Sequence, residues 1–318
     1  MKIAVIIPCY KVKNKILSVI NSIDNDIAII YIIDDACPEE SGKFILKHNI
    51  DPRVRVIFNS HNLGVGGAVM EGYKAALEDG MEIMLKIDGD GQMDPALIKY
   101  FIQPIVLGLA DYTKGNRFFN LEHILRMPKI RLLGNSVLSF MAKFSTGYWT
   151  IFDPTNGYTA IHHKALSYLP FNKISQRYFF ETDMLFRLNT IGAVVMDVPM
   201  NAHYGDEQSN LKIRKIWIEF FYKHTRNFLK RIFYNYYLRN MSIASLELPA
   251  GLLLIIFGLL FGIKQWIHSI QTEIGSTAGT VMLSALPIIL GLQLILSFLS
   301  FDISSNPIRP IQIYRDDV

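Results

Sequence analysis

Met81–Pro95 reads MEIMLKIDGDGQMDP. An apolar run ends in two carboxylates, Asp88 and Asp90, separated by one glycine. Two anions this close repel each other, so either a positive charge sits between them or the pair is a solvated turn. The residues before the pair favour a strand over 82–87, and the glycines favour a loop after it. The reading of the whole chain turns on what this loop holds.

An EF-hand is excluded, because Met93 takes the sixth loop position, where glycine belongs, and Lys99 the twelfth, where glutamate belongs. A carboxylate pair for sugar hydrolysis fits poorly, since residues two apart leave too little room for a water or sugar between them. A divalent cation shared with a diphosphate fits better. Magnesium or manganese takes one or two carboxylates and fills its shell with phosphate oxygens and water. The metal relieves the repulsion and then stabilises charge on a departing nucleotide diphosphate.

Upstream, 3–8 (IAVIIP) and 27–34 (IAIIYIID) are β-branched runs without alternation, as in strands buried on both faces. Lys15–Ile23 reads as a short helix, 54–58 as a third strand and 65–79 as a helix. Alternating strands and helices predict an α/β fold with a parallel sheet. Ligands in such sheets bind beyond the carboxyl ends of strands, where Asp34–Asp35 and Asp88–Asp90 both fall. Asp34 or Asp35 could meet a base or ribose there. The stretch Asn62–Tyr73, NLGVGGAVMEGY, sets glycines before a helix, so N–H groups near Asn62 and Gly66 could approach an anion. It is neither the dinucleotide fingerprint nor a P-loop.

Half of the 318 residues are hydrophobic and the mean hydropathy is +0.23, high for a soluble protein. The excess lies after residue 243. Residues 243–263 and 280–301 are apolar runs of roughly the 20 residues that a bilayer requires. Before them, Lys212–Arg239 carries eight Lys and Arg, one Glu and many aromatic residues, which suits an amphipathic segment at a membrane surface. Its basic residues, with Arg309 and Arg315 beyond the second run, place both flanks in the cytoplasm by the positive-inside rule. Three parts are expected: a cytoplasmic catalytic domain over 1–211, juxtamembrane helices over 212–242, and a two-span hairpin with a short tail over 243–318. The net charge of +4 does not suggest a nucleic-acid partner. Two cysteines without a CxxC pair fit a reducing compartment. The apolar run before Pro8 is too short for a signal peptide. His162–His163 are adjacent, the wrong spacing for a metal on one helix face.

In order and spacing, VIIPCYK, IDDAC, NLGVGGAV and KIDGDGQMDP resemble the family 2 glycosyltransferases of GT-A fold. GNRFF (Gly115–Phe119), the helix with Arg131 and Asn135, DPTNGYTAI (Asp153–Ile161) and FFETDM (Phe179–Met184) are similar to the polyprenyl-phosphate branch, which includes dolichyl-phosphate mannose synthases and bacterial undecaprenyl-phosphate glycosyltransferases. The two terminal spans match bacterial members with a membrane hairpin. The likeness covers about residues 1–240 by motif.

The resemblance implies a Rossmann-like nucleotide-sugar domain and a set of roles. Pro8, Tyr10, Asp35 and Lys86 would line the nucleotide pocket. Asp88, Asp90 and Gln92 would hold Mg2+ or Mn2+ and the donor diphosphate. Arg117 and Arg131 would grip a lipid phosphate, with Asn135 nearby. Asp153, Glu181 and Asp183 would face the sugar or position the acceptor, and Asp183 stays a candidate base if the acceptor is a sugar hydroxyl. His203–Lys212 departs from the branch's usual Arg-containing motif. The implied reaction is inverting transfer from a nucleotide sugar, with UDP favoured, to polyprenyl phosphate at the cytoplasmic face of the cell's inner membrane. Two alternatives stay open: extension of a lipid-linked sugar or polysaccharide, and a non-catalytic membrane scaffold. Relatives often form homo-oligomers, which is carried over by analogy.

Overall fold

The structure is a computed structural model that describes residues 1–119, 129–201 and 213–314, with only the backbone of 129–131 and 213–217. It divides into two compact units, one of Met1–Leu229 with Pro307–Val318, the other of Lys230–Asn306. The boundaries expected near 211 and 242 do not coincide with that division.

The first unit is built on a seven-stranded sheet. Its strands are β1 (Ile3–Cys9), β2 (Ile29–Asp34), β3 (Val54–Phe58), β4 (Ile83–Lys86), β5 (Tyr112–Asn116), β6 (Thr159–His162) and β7 (Val195–Pro199). The order is β3-β2-β1-β4-β6-β5-β7. All pairings are parallel except those of β6, which runs against both β4 and β5. Six strands therefore point the same way, and the carboxyl ends of β1, β2, β4, β5 and β7 share one edge of the sheet.

Helices cover both faces. On one side lie α1 (Ile16–Asn21), α2 (Ser41–His48) and α4 (Ile98–Val106); on the other lie α3 (Val65–Glu78) and, after α5 (Lys129–Thr146) and α6 (His163–Ser167), α7 (Phe180–Ile191). Alternation along the strands supplies both cores. Ala4, Ile6, Tyr31 and Ile33 pack toward α3, while Val5, Ile7, Ile30 and Ile32 pack toward α1 and α2. Each such side chain contributes about 1.5–3 kcal/mol of transfer free energy when fully buried. This is the α/β sheet that the β-branched runs predict.

After residue 306 the chain rejoins the first unit. The Asp111 carboxylate accepts N–H groups from Ile311 (2.9 Å) and Gln312 (3.0 Å), besides that of Val194 (2.8 Å). The Gln312 amide donates to the carbonyls of Ala110 (2.7 Å) and Ile105 (3.0 Å). This strap sits immediately before β5.

The basic segment is one helix, α8 (Ile213–Phe233), continued by a π-helical turn over Tyr234–Arg239. The second unit then holds α9 (Ile243–Thr272) and α10 (Ala278–Ser304), 30 and 27 residues with mean hydropathy 2.3 and 2.2 over their most apolar windows, long and apolar enough to cross a membrane. The first helix runs nine residues past the expected span. The two pack closely at Gly251 and Gly291, where a methyl group on either would run into the opposing backbone. Not all basic residues of the juxtamembrane segment face outward. Arg231 is buried and clasps Asp302 through two hydrogen bonds of 2.6 and 2.9 Å, and the Tyr236 hydroxyl donates to the same carboxylate at 2.6 Å.

Candidate active site

β4 ends at Lys86, and the chain turns outward through Asp88, Asp90 and Gln92, all half-buried. The Gln92 N–H donates to an Asp90 oxygen at 2.9 Å, which closes the turn. Lys86 is buried, with its ammonium 2.8 Å from Asp88 and 3.7 Å from Glu181 at the start of α7. Gly157 leaves the room for this ammonium, because a Cβ there would collide with it. Burial opposes the charge on Lys86, yet Asp88 and Glu181 hold its pKa above the ordinary value. Burial pushes the Glu181 carboxyl up, against the pull of Lys86.

A second cluster lies at the same edge of the sheet, after β5. Asp153 is buried and accepts from the Arg117 Nε at 2.7 Å, Nη2 at 2.9 Å and backbone N–H at 3.2 Å. Burial works against ionising Asp153, but these bonds hold its carboxyl below the usual range. The Arg117 side chain keeps 29% of its surface exposed, so the paired guanidinium lies at the protein surface. Asn156 bonds both Asp153 and the Tyr158 N–H, and fixes the turn that carries Asp153.

The structure thus brings Lys86, Asp88 and Glu181 together, and Arg117 with Asp153. Pro8 and exposed Tyr10 end β1 at this edge. Asp35 and Asp34 end β2 there, but both carboxylates serve the chain itself. Asp35 accepts N–H groups from Leu63 and Gly64, each at 2.8 Å, and the Asn59 amide at 2.8 Å. Asp34 accepts from Cys37 at 2.7 Å and Gly42 at 2.6 Å. The Gly66 N–H donates to the Gln176 carbonyl at 2.8 Å, and the Asn62 amide lies 3.4 Å from the Asp35 carbonyl. The N-terminus of α3, which the glycines suggest for an outside anion, is met by Asp35 and Gln176 instead. Asp183 has no accessible surface; Ser175 N–H and the Asn227 amide each donate to it at 2.9 Å. These bonds occupy both oxygens of the residue that the resemblance leaves open as a base. Asn135 is half-buried on α5. The Arg131 side chain and His203–Lys212 lie outside the described residues.

Sequence reasoning missed Lys114. It is fully buried on β5, within the field of Asp153, Asp197 and Glu181, and burial brings its pKa down to about 8. The signal available was a lysine inside KGNR, two residues before a buried amide and three before a paired arginine.

Asp88 and Asp90 fit a hard divalent cation: two carboxylates on a half-exposed loop, with Lys86 already countering part of their charge. Among the described residues no cluster of three or more His, Cys, Asp or Glu could enclose a metal alone. The donor set therefore suits a cation shared with a diphosphate and water.

A family model described as Glycosyl transferase family 2 matches residues 4–169, just over half of the chain. This chain belongs to glycosyl transferase family 2. Its curated relatives include a UDP-N-acetylglucosamine–dolichyl-phosphate N-acetylglucosaminyltransferase of Methanococcus voltae, 30% identical over 218 residues, which are 64% of this chain and 86% of that protein. An undecaprenyl-phosphate mannosyltransferase of Micrococcus luteus is 27% identical over 173 residues, 54% of this chain and 70% of that protein. Among solved structures, glucosyl-3-phosphoglycerate synthase of Mycobacterium tuberculosis, in complex with Mn2+, UDP and phosphoglyceric acid, superposes with a TM-score of 0.53 at 15% identity, covering 72% of this chain and 78% of that one. That likeness supports the GT-A-type sheet. The chain is a family 2 glycosyltransferase, with Asp88 and Arg117 at one edge of that sheet.

Proposed function

We propose that this glycosyltransferase moves a sugar from a nucleotide sugar, with UDP as the nucleotide, to a polyprenyl phosphate at a membrane surface. The observation that carries this reading is the shared edge. Asp88–Gln92 follows β4 and Arg117 follows β5, two strands that run the same way on either side of β6. The loop proposed to bind the diphosphate and a partly exposed guanidinium thus lie at one edge of the sheet. The Methanococcus and Micrococcus relatives, whose names specify polyprenyl-phosphate acceptors, support the choice of acceptor.

Asp88, Asp90 and Gln92 would hold the donor diphosphate together with Mg2+ or Mn2+, which would supply charge stabilisation for the leaving nucleotide. Lys86 sits beneath them and keeps Asp88 oriented. Arg117 presents a planar donor array to the acceptor phosphate, steadied by Asp153, and Arg131 and Asn135 join it from α5. A phosphate is already ionised near neutral pH and needs little help from a base. Positioning and charge stabilisation then carry the rate. The burial of Asp183 accords with this, since it is the base that a hydroxyl acceptor would call for. Attack from the face opposite the leaving diphosphate inverts the anomeric carbon. Pro8, Tyr10 and Asp35 shape the nucleotide side.

The two apolar helices anchor the enzyme in a bilayer. The strap over Ile311–Gln312 supports a hairpin, because both ends of the second unit return to the catalytic one. The basic flanks put that side in the cytoplasm. The test is incubation of detergent-purified full chain with Mg2+ or Mn2+, a panel of UDP- and GDP-sugars, and undecaprenyl phosphate, with lipids identified by mass spectrometry. One new sugar-phosphate lipid is expected. Nucleotide binding without any lipid product would overturn the acceptor.

A further inference from the structure

Lys114 pairs across the sheet with Thr159 on β6 and Asp197 on β7, and Thr159 pairs in turn with Lys86 on β4. Residues directly opposite one another put their side chains on the same face. Lys86, Thr159, Lys114 and Asp197 therefore form one row across four strands. Its neighbour Thr113 points the other way and bonds the Phe101 carbonyl at 2.7 Å. Glu181 from α7 and Asp153 from the turn before β6 both act on the Lys114 charge. The ammonium of Lys114 has no accessible surface and makes no hydrogen bond to any described residue. A buried cation without a hydrogen bond is costly to the fold, so its charge is the property that matters at this position.

We propose that Lys114 is a positioning residue for the anionic acceptor: it shares the Asp153 charge with Arg117, so that the guanidinium keeps positive potential toward an incoming phosphate. This rests on the acceptor reading above. Asp153 feels two cations, Arg117 through direct hydrogen bonds and buried Lys114, three residues earlier, through its field. With both charged, Arg117 is only partly neutralised by its carboxylate. With Lys114 neutral, Asp153 is balanced by Arg117 alone, and a phosphate meets a closed ion pair. Lys114 does not touch substrate and acts through Asp153. One unit charge acting over roughly 10 Å at an effective dielectric of about 20 changes phosphate affinity on the order of tenfold.

The charged groups acting on Lys114 are the Asp153–Arg117 pair, Asp197 from β7 and Glu181 from α7; Lys86 lies in its row, Tyr112 two residues before it on its own strand, and Tyr73 from α3 acts on Tyr112. Burial drives the Tyr73 and Tyr112 phenols above their usual range. Lys86 is held charged by Asp88 and Glu181 against its burial. Burial raises the Glu181 and Asp197 carboxyls. Lys114 is the cation that burial brings down to about 8. As pH rises through that value its proton leaves, and the hold on the acceptor weakens.

The experiment measures acceptor KM, donor KM, kcat and UDP affinity on detergent-purified full chain from pH 6.5 to 9.5, for wild type, Lys114→Met and Lys114→Arg. Wild type should show an acceptor KM that rises above pH 8. Lys114→Met should show a roughly tenfold higher acceptor KM at pH 7 without that rise, with UDP affinity unchanged. Lys114→Arg, whose charge persists, should keep the low KM and lose the alkaline rise. An unchanged acceptor KM in Lys114→Met, or equal losses of UDP and acceptor affinity, overturns the proposal. If neither variant folds, the wild-type profile decides, and an acceptor KM flat across pH 8 overturns it. Wild type that transfers to no polyprenyl phosphate refutes the function reading itself, a result distinct from active wild type with an unresponsive variant.

Discussion

Strands β1 and β2 bury Ala4, Val5, Ile6, Ile7, Ile30, Ile32 and Ile33, whereas β5, in the same sheet, buries Thr113, Lys114 and Asn116. Beside β5 lie the buried Asp111 and Asp153. One half of the sheet is held by the removal of apolar surface from water, a force without direction. The other half adds to that force directed bonds to buried carboxylates such as Asp111 and Asp153, where losing one partner strands the next. The Asp88 loop hangs from the first half and Arg117 from the second. On the function proposed above, precision of charge lies where an anion is aimed, and bulk cohesion where a scaffold is needed.

Four changes probe that contrast. The largest effect is expected from Asp90→Asn. Transfer should fall by about 10²–10³-fold, the scale of losing one electrostatic stabiliser of developing charge, while the melting temperature stays close to wild type. Product formation on lipid and a thermal melt of the same sample read both, and unimpaired transfer would remove Asp90 from the metal site. Next comes Arg117→Met in the charged half. It leaves Asp153 buried with its main partner gone, and should cost about 3–5 kcal/mol of stability as well as transfer. Chemical denaturation measures the first, and a loss below 1 kcal/mol would mean that Asp153 simply takes up a proton.

Ile6→Ala in the apolar half should cost about 2–5 kcal/mol through the cavity it leaves. Its folded fraction should nonetheless transfer at close to the wild-type rate. A large fall in kcat per folded molecule would show that the two halves are not separable. The smallest effect concerns acid. Asp153 titrates below the usual carboxylate value of about 3.9, so above that pH its contribution to stability is fully present. As pH falls from about 4 toward the folded value, the unfolded chain takes up a proton that the folded chain does not, and stability declines. Asp153→Asn should flatten this part of the curve of unfolding free energy against pH.

The same contrast decides what could be read from the sequence. β1, β2, β4 and α3 announce themselves, because apolar runs and helical periodicity are local signals. The two carboxylates of the Asp88 loop were legible for a similar reason: a strand ends where its charges begin. β5 was not. YTKGN holds one aromatic residue and no apolar run, and becomes a buried strand only because β6 and β7 flank it. Lys114 was hidden with it. Asp34 and Asp35 carry a task that the sequence did not show: their oxygens also tie down the loops that follow. The strap over Ile311–Gln312 has no periodicity at all, and depends on a carboxylate some 200 positions away in the chain.

That strap changes the mechanics of the anchor. A pair of apolar helices joined to the first unit at one end would hang as a tail on a single line of chain. Here the polypeptide leaves at Leu229 and is moored again at Gln312. Two lines make it a closed loop of chain instead, with both ends tied to the unit that carries the sheet. Cutting the chain just before Ile311 would return the molecule to one line without touching a single residue of the active site.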